Sequence, residues 1–312
     1  MNLIESKAVL LQQGVGLSGL YKHIEICGRT CYKSEDKITK VSSEKFIENL
    51  IKREHTAMLE HGTVYLKVPN KEVDVNWIDK YTLNPYSKIN LHTDNGVNNW
   101  YITTNLRVIH ENNWYEDLKY RVNPTRYHER RYTFKLTTDR GVSHELVRSR
   151  TMSFAQESTR FCNYTKDKFN SELTFICPSW IKLNTGKYEF IVEKDNSISI
   201  AGDGYLKSTL GTDKDIWLLH SMLTSEMAYK GMILEGCTPQ EARQVLPNSL
   251  KTEICITGFA SDWVHFFNLR LFGTTGKPHP DMLRLAELMK AELEKAKIWK
   301  TLFKKEPKRY EN

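Results

Sequence analysis

The chain's 312 residues, 40% hydrophobic and 27% charged, suffice for one large domain with insertions or two smaller ones and exclude a disordered polypeptide. No apolar run approaches the ~18 residues of a membrane span, residues 1–14 lack a signal peptide's layout, and six scattered cysteines make no disulfide framework, so a cytoplasmic protein with free thiols is expected. The net charge of +7 suits anionic partners, from small phosphates to nucleic acid.

The first formal motif, Gly14-Val-Gly16-Leu-Ser-Gly19, has the spacing of a dinucleotide-binding loop. It lacks the repeated strand–helix–strand units and the acidic residue about 20 positions on that such a site needs, so it reads as a turn into a helix carrying Leu20, Ile24 and Cys27. Cys27 and Cys31 have helical spacing but no second pair accompanies them, and no metal site is expected. Phe46, Ile47, Leu50 and Ile51 predict an amphipathic helix over 43–53, and the alternation of Val64, Leu66 and Val68 predicts a strand starting near His61. Residues 70–131, punctuated by Asn84-Pro85, Asn95-Gly96 and Asn123-Pro124, read as a polar insertion in which 100–110 passes from strand to helix.

Residues 132–136 alternate as a strand, after which Thr138 or Asp139 caps a helix with Val142, Leu146 and Val147 on its buried face. A short strand over 173–177, stopped by Pro178, precedes a second polar, β-like insertion over 182–213. A Leu- and Met-rich helix over 215–234 ends at Gly236, and Thr238-Pro239-Gln240-Glu241 forms a capping box that opens a helix stopped by Pro247. Ser261 is expected to cap the next helix, ended by Gly273, with Phe259, Trp263, Phe266 and Phe267 packing inward. A last helix covers 281–297, and the basic stretch 301–312 beyond it reads as a solvated, frayed tail. Helices and mostly non-crossover strands in this order predict an α+β fold.

Arg148, Arg150 and Arg160 stand close in sequence among the short polar side chains of Ser149, Ser153, Ser158 and Thr159. Guanidinium forks bind phosphate bidentately and hydroxyls complete its coordination, which makes a candidate anion site; the competing reading is surface arginines held in ion pairs. The segment from His144 to Tyr164 resembles the signature of flavin-dependent thymidylate synthases, in which Arg-His-Arg is followed after seven residues by Ser and two further on by Arg. Here it becomes Arg148-Ser149-Arg150, Ser158 and Arg160. Upstream, His55-Thr-Ala-Met-Leu-Glu60-His61 resembles that family's His-x-Ser/Thr-x-x-Glu-His; downstream, Arg243-Gln-Val-Leu-Pro247 and His265-Phe-Phe-Asn-Leu-Arg270 resemble its Arg-x-x-Leu-Pro and its last substrate-binding helix.

The resemblance implies one domain over residues 1–300 with a mixed or antiparallel sheet, helices and the two insertions. It further implies a homotetramer with shared active sites and no nucleic-acid partner. FAD reduced by NADPH would supply hydride, 5,10-methylenetetrahydrofolate one carbon, and dUMP would be methylated at C5 to dTMP. By motif, Glu145, Arg148, Gln156, Ser158, Thr159, Arg160, Arg243 and Arg270 would contact dUMP, and Ala57, Arg148, Ser149, Arg150, Thr151, Gln156 and His265 would contact FAD. Arg270 and Ser158 are the catalytic candidates: a cation beside the uracil ring stabilises the charge that makes C5 nucleophilic, whereas a hydroxyl without an adjacent base serves to orient.

Ser149 in place of the central histidine, Ala57 in place of a hydroxyl and Gln240 in place of a Glu depart from the family pattern. They keep open a diverged flavoenzyme acting on another pyrimidine nucleotide, and a nucleic-acid-binding protein on an inactive enzyme fold. Cys162, after Phe161, and Cys177, before Pro178, read as buried fillers rather than nucleophiles. For His55 and His61 a core role and a functional one both stay open.

Overall fold

The computed structural model describes residues 1–166, 169–194, 197–202, the backbone of 205–207, and 213–310. After β1 (Asn2–Ile4) and β2 (Lys7–Leu11), the chain turns at Gly14 into α1 (Gly16–Tyr32). A Cβ on Gly19 would lie 2.2 Å from the Gly14 carbonyl carbon, so the glycines serve a close backbone approach that no other residue permits. Helix α2 (Ser42–Lys52) falls within a residue of its expected start, and a 3-10 turn over Thr56–His61 delays β3 to Thr63–Pro69.

The stretch expected to be a polar insertion has its own architecture: α3 (Val75–Thr82), β4 (Lys88–Asp94), β5 (Val97–Asn105) and α4 (Leu106–Glu111). Strands β3, β5 and β4 form an antiparallel sheet with β5 in the middle. Its inner side chains Leu66 and Ile102, with Tyr81 of α3, share one hydrophobic cluster with Leu20 and Ile24 of α1 and Ile47 and Leu50 of α2. The strand-to-helix passage around 100–110 is as expected.

The central sheet contains β6 (Arg131–Asp139), which leads into α5 (Arg140–Leu146), and β7 (Ser153–Gln156). A further sheet is built from β8 (Thr174–Ile176), β9 (Gly186–Val192), β10 (Ile198–Gly202) and β11 (Tyr205–Lys207) with β1, and α6 (Lys214–Leu234) packs on it. Its β1–β8 pair is parallel, which makes the sheet mixed. Then come α7 (Pro239–Ala242), β12 (Lys251–Phe259), α8 (Ala260–Arg270), α9 (Pro280–Lys295) and α10 (Trp299–Leu302). The central sheet runs β2-β6-β12-β7, all antiparallel. Alternation along β12 sends Ile254 and Ile256 to the core formed with α8 and α9, and Cys255 to the Cys27 side chain of α1. The α+β class is therefore as expected, and no helix among the described residues is long and apolar enough to cross a membrane.

Three local expectations fail. Val147, expected on the buried face of α5, lies just past its end and is 41% exposed. Ser261 does not cap α8: the helix starts directly after β12, Asp262 accepts from the Phe259 N–H at 2.9 Å, and the Ser261 hydroxyl donates to Glu129. Nor is the basic C-terminal stretch loose as far as Tyr310, although its Lys304, Lys305, Lys308 and Arg309 side chains are exposed as expected. Trp299 and Phe303 are buried against Phe267 and Phe272, and the Tyr310 N–H donates to the Phe272 carbonyl at 2.8 Å, so aromatic anchors hold a segment whose charge suggested solvation.

The α1 face of the sheet holds a buried polar run. His23 Nε2 lies 2.9 Å from the Thr133 hydroxyl, which meets the Thr257 hydroxyl at 2.7 Å, which meets His61 Nδ1 at 2.7 Å. Burial, and secondarily the Arg131 charge, pulls His23 down to about 4; burial, with His23 and Arg131 adding, pulls His61 down to about 3. Both rings are thus neutral when folded, while the unfolded chain takes up their protons below about pH 6.5. Stability is unaffected by them above that pH and falls as the pH drops from there toward the folded values. The His61→Gln variant is expected to lose up to one proton, about 1.4 kcal/mol per pH unit, from the slope of unfolding free energy between pH 6 and 4. Urea titrations across that range read it, and an unaltered slope would contradict the buried, neutral assignment.

Candidate functional site

Asp139 caps α5 by accepting from the Val142 N–H at 2.7 Å, so the helix starts where the central sheet ends. Leu146 and Met152 are buried in the core on either side of the turn that follows, which leaves Arg148 and Arg150 exposed and Ser149 half-buried between them. The Thr151 hydroxyl donates to Asp262 at 2.8 Å and so pins this turn to the first turn of α8, on which His265 is exposed. From β7, the Gln156 amide donates to the Ser143 hydroxyl at 2.8 Å and to the Thr252 hydroxyl at 3.2 Å, bracing α5 against β12.

Beyond β7, Glu157 is 1% exposed and accepts from Lys251 at 2.8 Å, from the Tyr164 hydroxyl at 3.0 Å and from the Glu253 N–H at 3.2 Å. The next residue donates its N–H to the Cys31 carbonyl at 3.0 Å, and the Ser158 hydroxyl accepts from the Arg160 N–H at 3.3 Å. No acid or imidazole partners that hydroxyl among the described residues. Thr159 is buried, while the Arg160 side chain is exposed with its guanidinium 5.5 Å from the ring centre of an exposed Phe161. Burial, with Cys255 and Glu157 adding, pushes the neighbouring Cys31 thiol up to about 11, away from thiolate chemistry.

Arg270, at the end of α8, donates to the Glu145 carboxylate of α5 at 2.6 Å, and both side chains keep about a quarter of their surface in solvent. Arg243 is exposed in the 3-10 turn after α7. The Glu241 carboxylate accepts from the Thr238 N–H at 2.7 Å and is thereby engaged as a cap, as expected; Gln240 is exposed. Ala57 is exposed on the Thr56–His61 turn, His61 is fully buried, and His55 is exposed with Nδ1 3.2 Å from the Tyr32 hydroxyl. His55 also borders a cavity of about 570 Å³ whose lining includes Lys37, Lys45 and Arg53 and no carboxylate.

The ion pairs that arginines make among the described residues involve Arg29, Arg107, Arg270, Arg284 and Arg309. Arg148, Arg150, Arg160 and Arg243 form no ion pair among the described residues. The fold joins Glu145 to Arg270, and Gln156 to α5. The two arginine-bearing turns flank the four residues of β7, whose ends lie roughly 10 Å apart at ~3.3 Å per residue. Asp262, Lys251 and Arg131 support these elements and were not among the expected site residues. Asp262 was legible as the acid three positions before His265, whereas the other two depend on strand pairing. Among the described residues no group of three His, Cys, Asp or Glu side chains is placed to hold a metal ion.

The family profile described as thymidylate synthase complementing protein matches residues 125–297. A flavin-dependent thymidylate synthase of Pyrococcus furiosus is 30% identical over 141 residues, 45% of this chain and 46% of that one. One of Geobacter sulfurreducens is 28% identical over 132 residues, 42% and 43% of the two chains. The chain thus spans about half the length of the curated relatives it matches. Among solved structures, a UMP/dUMP methylase, PolB, from Streptomyces cacaoi bound with 5-Br dUMP aligns over 97% of each chain at 16% identity with a TM-score of 0.43.

Proposed function

Because the chain belongs to the thymidylate synthase complementing protein family, whose profile covers more than half of it, we propose that it is a flavin-dependent enzyme methylating dUMP at C5 to dTMP. In this reading 5,10-methylenetetrahydrofolate is the carbon donor and NADPH reduces the flavin. The observation that supports it is the exposed arginines Arg148, Arg150, Arg160 and Arg243, which form no ion pair among the described residues, together with the Arg270–Glu145 pair. Exposed guanidinium forks with no carboxylate are free for phosphate.

The nucleotide phosphate would be taken by Arg148, Arg160 and Arg243, with Ser158 and Thr159 completing the contacts. Arg270, aligned by Glu145, would face the pyrimidine ring together with Gln156. As an always-charged donor it cannot remove a proton; it stabilises negative charge as that charge develops on the ring, which raises the nucleophilicity of C5. Ser158 has no base beside it and orients the nucleotide.

The donor set of Arg148, Arg150, Thr151, Gln156 and His265 fits FAD, with cations for its pyrophosphate and amide and imidazole donors for its polar edges. Ala57 and Ser149 leave space at the same contacts. Bound FAD supplies the hydride that completes the methyl group. The cation-lined cavity beside His55 suits the carboxylates of the folate. In this reading the chain forms a homotetramer with shared active sites.

Tritium release from C5-labelled dUMP, dependent on FAD, NADPH and methylenetetrahydrofolate, tests the reading. No release, combined with steeply salt-dependent RNA or DNA binding, would replace it with a nucleic-acid-binding role. The Ser149→His variant is expected to bind FAD roughly three- to tenfold tighter, the equivalent of ~0.5–1.5 kcal/mol for one added aromatic contact. Fluorescence titration of FAD reads this, and an equal affinity would place position 149 away from the cofactor.

A further inference from the structure

A second cavity of about 570 Å³ lies between the glycine turn before α1, the three-stranded sheet and the start of β6. It borders β2, the edge strand opposite β7, and contains none of the residues assigned above to dUMP or FAD. Its lining holds three arginines, Arg121, Arg130 and Arg131, and not one Asp or Glu. None of the three is among the arginines that form ion pairs in the described residues.

Arg131 is only 9% exposed, yet every acceptor it has is neutral: the Glu60 carbonyl at 2.9 Å, the Thr63 hydroxyl at 3.3 Å and the Ser153 hydroxyl at 3.3 Å. Its Nε has no acceptor at all. A buried cation ordinarily has a counter-ion, because neutral acceptors do not replace the hydration it gives up. Burial draws Arg131 down to about 10, and the nearby Tyr65, Glu60 and Asp262 side chains, none of them bonded to its guanidinium, offset that only in part. His23, 3% exposed, lines the same cavity and leaves Nδ1 without a partner.

Across the cavity, the 17-residue α1 begins with neither a side-chain cap nor an acid in its first turn. Its unneutralised N–H groups and positive dipole end add to the field of the arginines. At Gly16, φ is +76° and a Cβ would meet nothing within 4 Å, so the backbone stands open to a ligand. The formal Gly14-x-Gly16-x-x-Gly19 motif, unconnected with any dinucleotide fold, here borders a basic cavity. Leu10, Leu11 and Tyr132 give that cavity an apolar and aromatic wall.

We infer that this cavity is a second anion site, for a phosphorylated ligand of nucleotide size, its phosphates lying between Arg121, Arg130 and the start of α1 and completing the partial charge compensation of Arg131. The volume lies within the ~300–1,000 Å³ usual for small-ligand sites. The inference does not depend on the assignment of dUMP or FAD, since it rests on other residues.

Isothermal titration of the whole chain with inorganic pyrophosphate, and separately with ATP, tests it. Each titration is repeated in an Arg148→Ala/Arg150→Ala/Arg160→Ala/Arg243→Ala variant, so that binding at the other arginines drops out. One site per chain is expected to persist in that background. Adding Arg121→Ala/Arg130→Ala should weaken it at least tenfold without altering the ligand-free thermal midpoint, as both side chains retain solvent contact. ATP binding at least tenfold tighter than pyrophosphate identifies a nucleotide as the occupant, and equal affinities identify free polyphosphate. Failure of both probes to bind, or undiminished binding after the Arg121/Arg130 substitutions, overturns the site.

Discussion

The Arg270→Ala variant is expected to form dTMP with kcat lower by roughly 10²–10³-fold while retaining its flavin, the loss typical of removing one charge-stabilising donor from a reaction centre. The guanidinium is held 2.6 Å from the Glu145 carboxylate, so its direction is set before a substrate arrives. Because that pair is part-exposed, breaking it should cost stability no more than ~1 kcal/mol, and lost turnover will not reflect unfolding. Arg270→Lys keeps a charge but not the planar fork and should recover only part of the rate. Glu145→Gln leaves the guanidinium in place but less firmly oriented, and should act more on KM for dUMP than on kcat. Steady-state kinetics with the flavin absorbance of each variant separates these cases. Near-normal kcat in Arg270→Ala would remove this residue from the chemistry.

The parts of this molecule legible in the sequence are those set by local periodicity and by single-residue chemistry. Helix α2, strand β3, the passage from β5 to α4, the Asp139 cap and the Thr238–Glu241 cap all depend on neighbours within a few positions. β12 was overlooked although Thr252, Ile254 and Ile256 alternate with Glu253 and Cys255, because both faces of a central strand are covered and the polar residues on it are buried as well. Polar punctuation concealed the α3–β5 region in the same way: its hydrophobic positions complete a core with α1 and α2, distant in sequence.

At the site, the arginine spacing marked a candidate anion-binding segment, but only the tertiary arrangement pairs Arg270 with Glu145 across 125 residues. The same holds for the separation of the Arg148 and Arg160 turns, which follows from the intervening strand β7 lying in the sheet. A motif is read along the chain, whereas a charge balance is read in space. The burial of Arg131 without a direct ion pair has no counterpart in sequence spacing at all.

The second large effect is expected at Glu157, which precedes the Ser158–Arg160 segment and is more deeply buried than any expected dUMP contact. Its carboxylate receives Lys251, the Tyr164 hydroxyl and the Glu253 N–H, and its own N–H donates to the Glu253 carbonyl at 2.8 Å. Glu157→Ala removes the acceptor for all three side-chain-directed bonds and leaves Lys251, 14% exposed, with Glu253 alone at 2.9 Å. Loss of one member of a buried pair costs about 3–5 kcal/mol; the remaining Glu253 contact argues for the lower end. Because Ser158 and Arg160 are positioned from this anchor, KM for dUMP should rise along with the fall in stability. The Glu157→Gln/Lys251→Met double variant, which leaves no orphaned charge, should be less destabilised than Glu157→Ala, since desolvation and not attraction dominates at 1% exposure. Urea unfolding of the three proteins tests the order. A Glu157→Ala variant as stable as the parent would mean that the carboxylate is solvated and that the Ser158–Arg160 turn is held by the Cys31 contact instead.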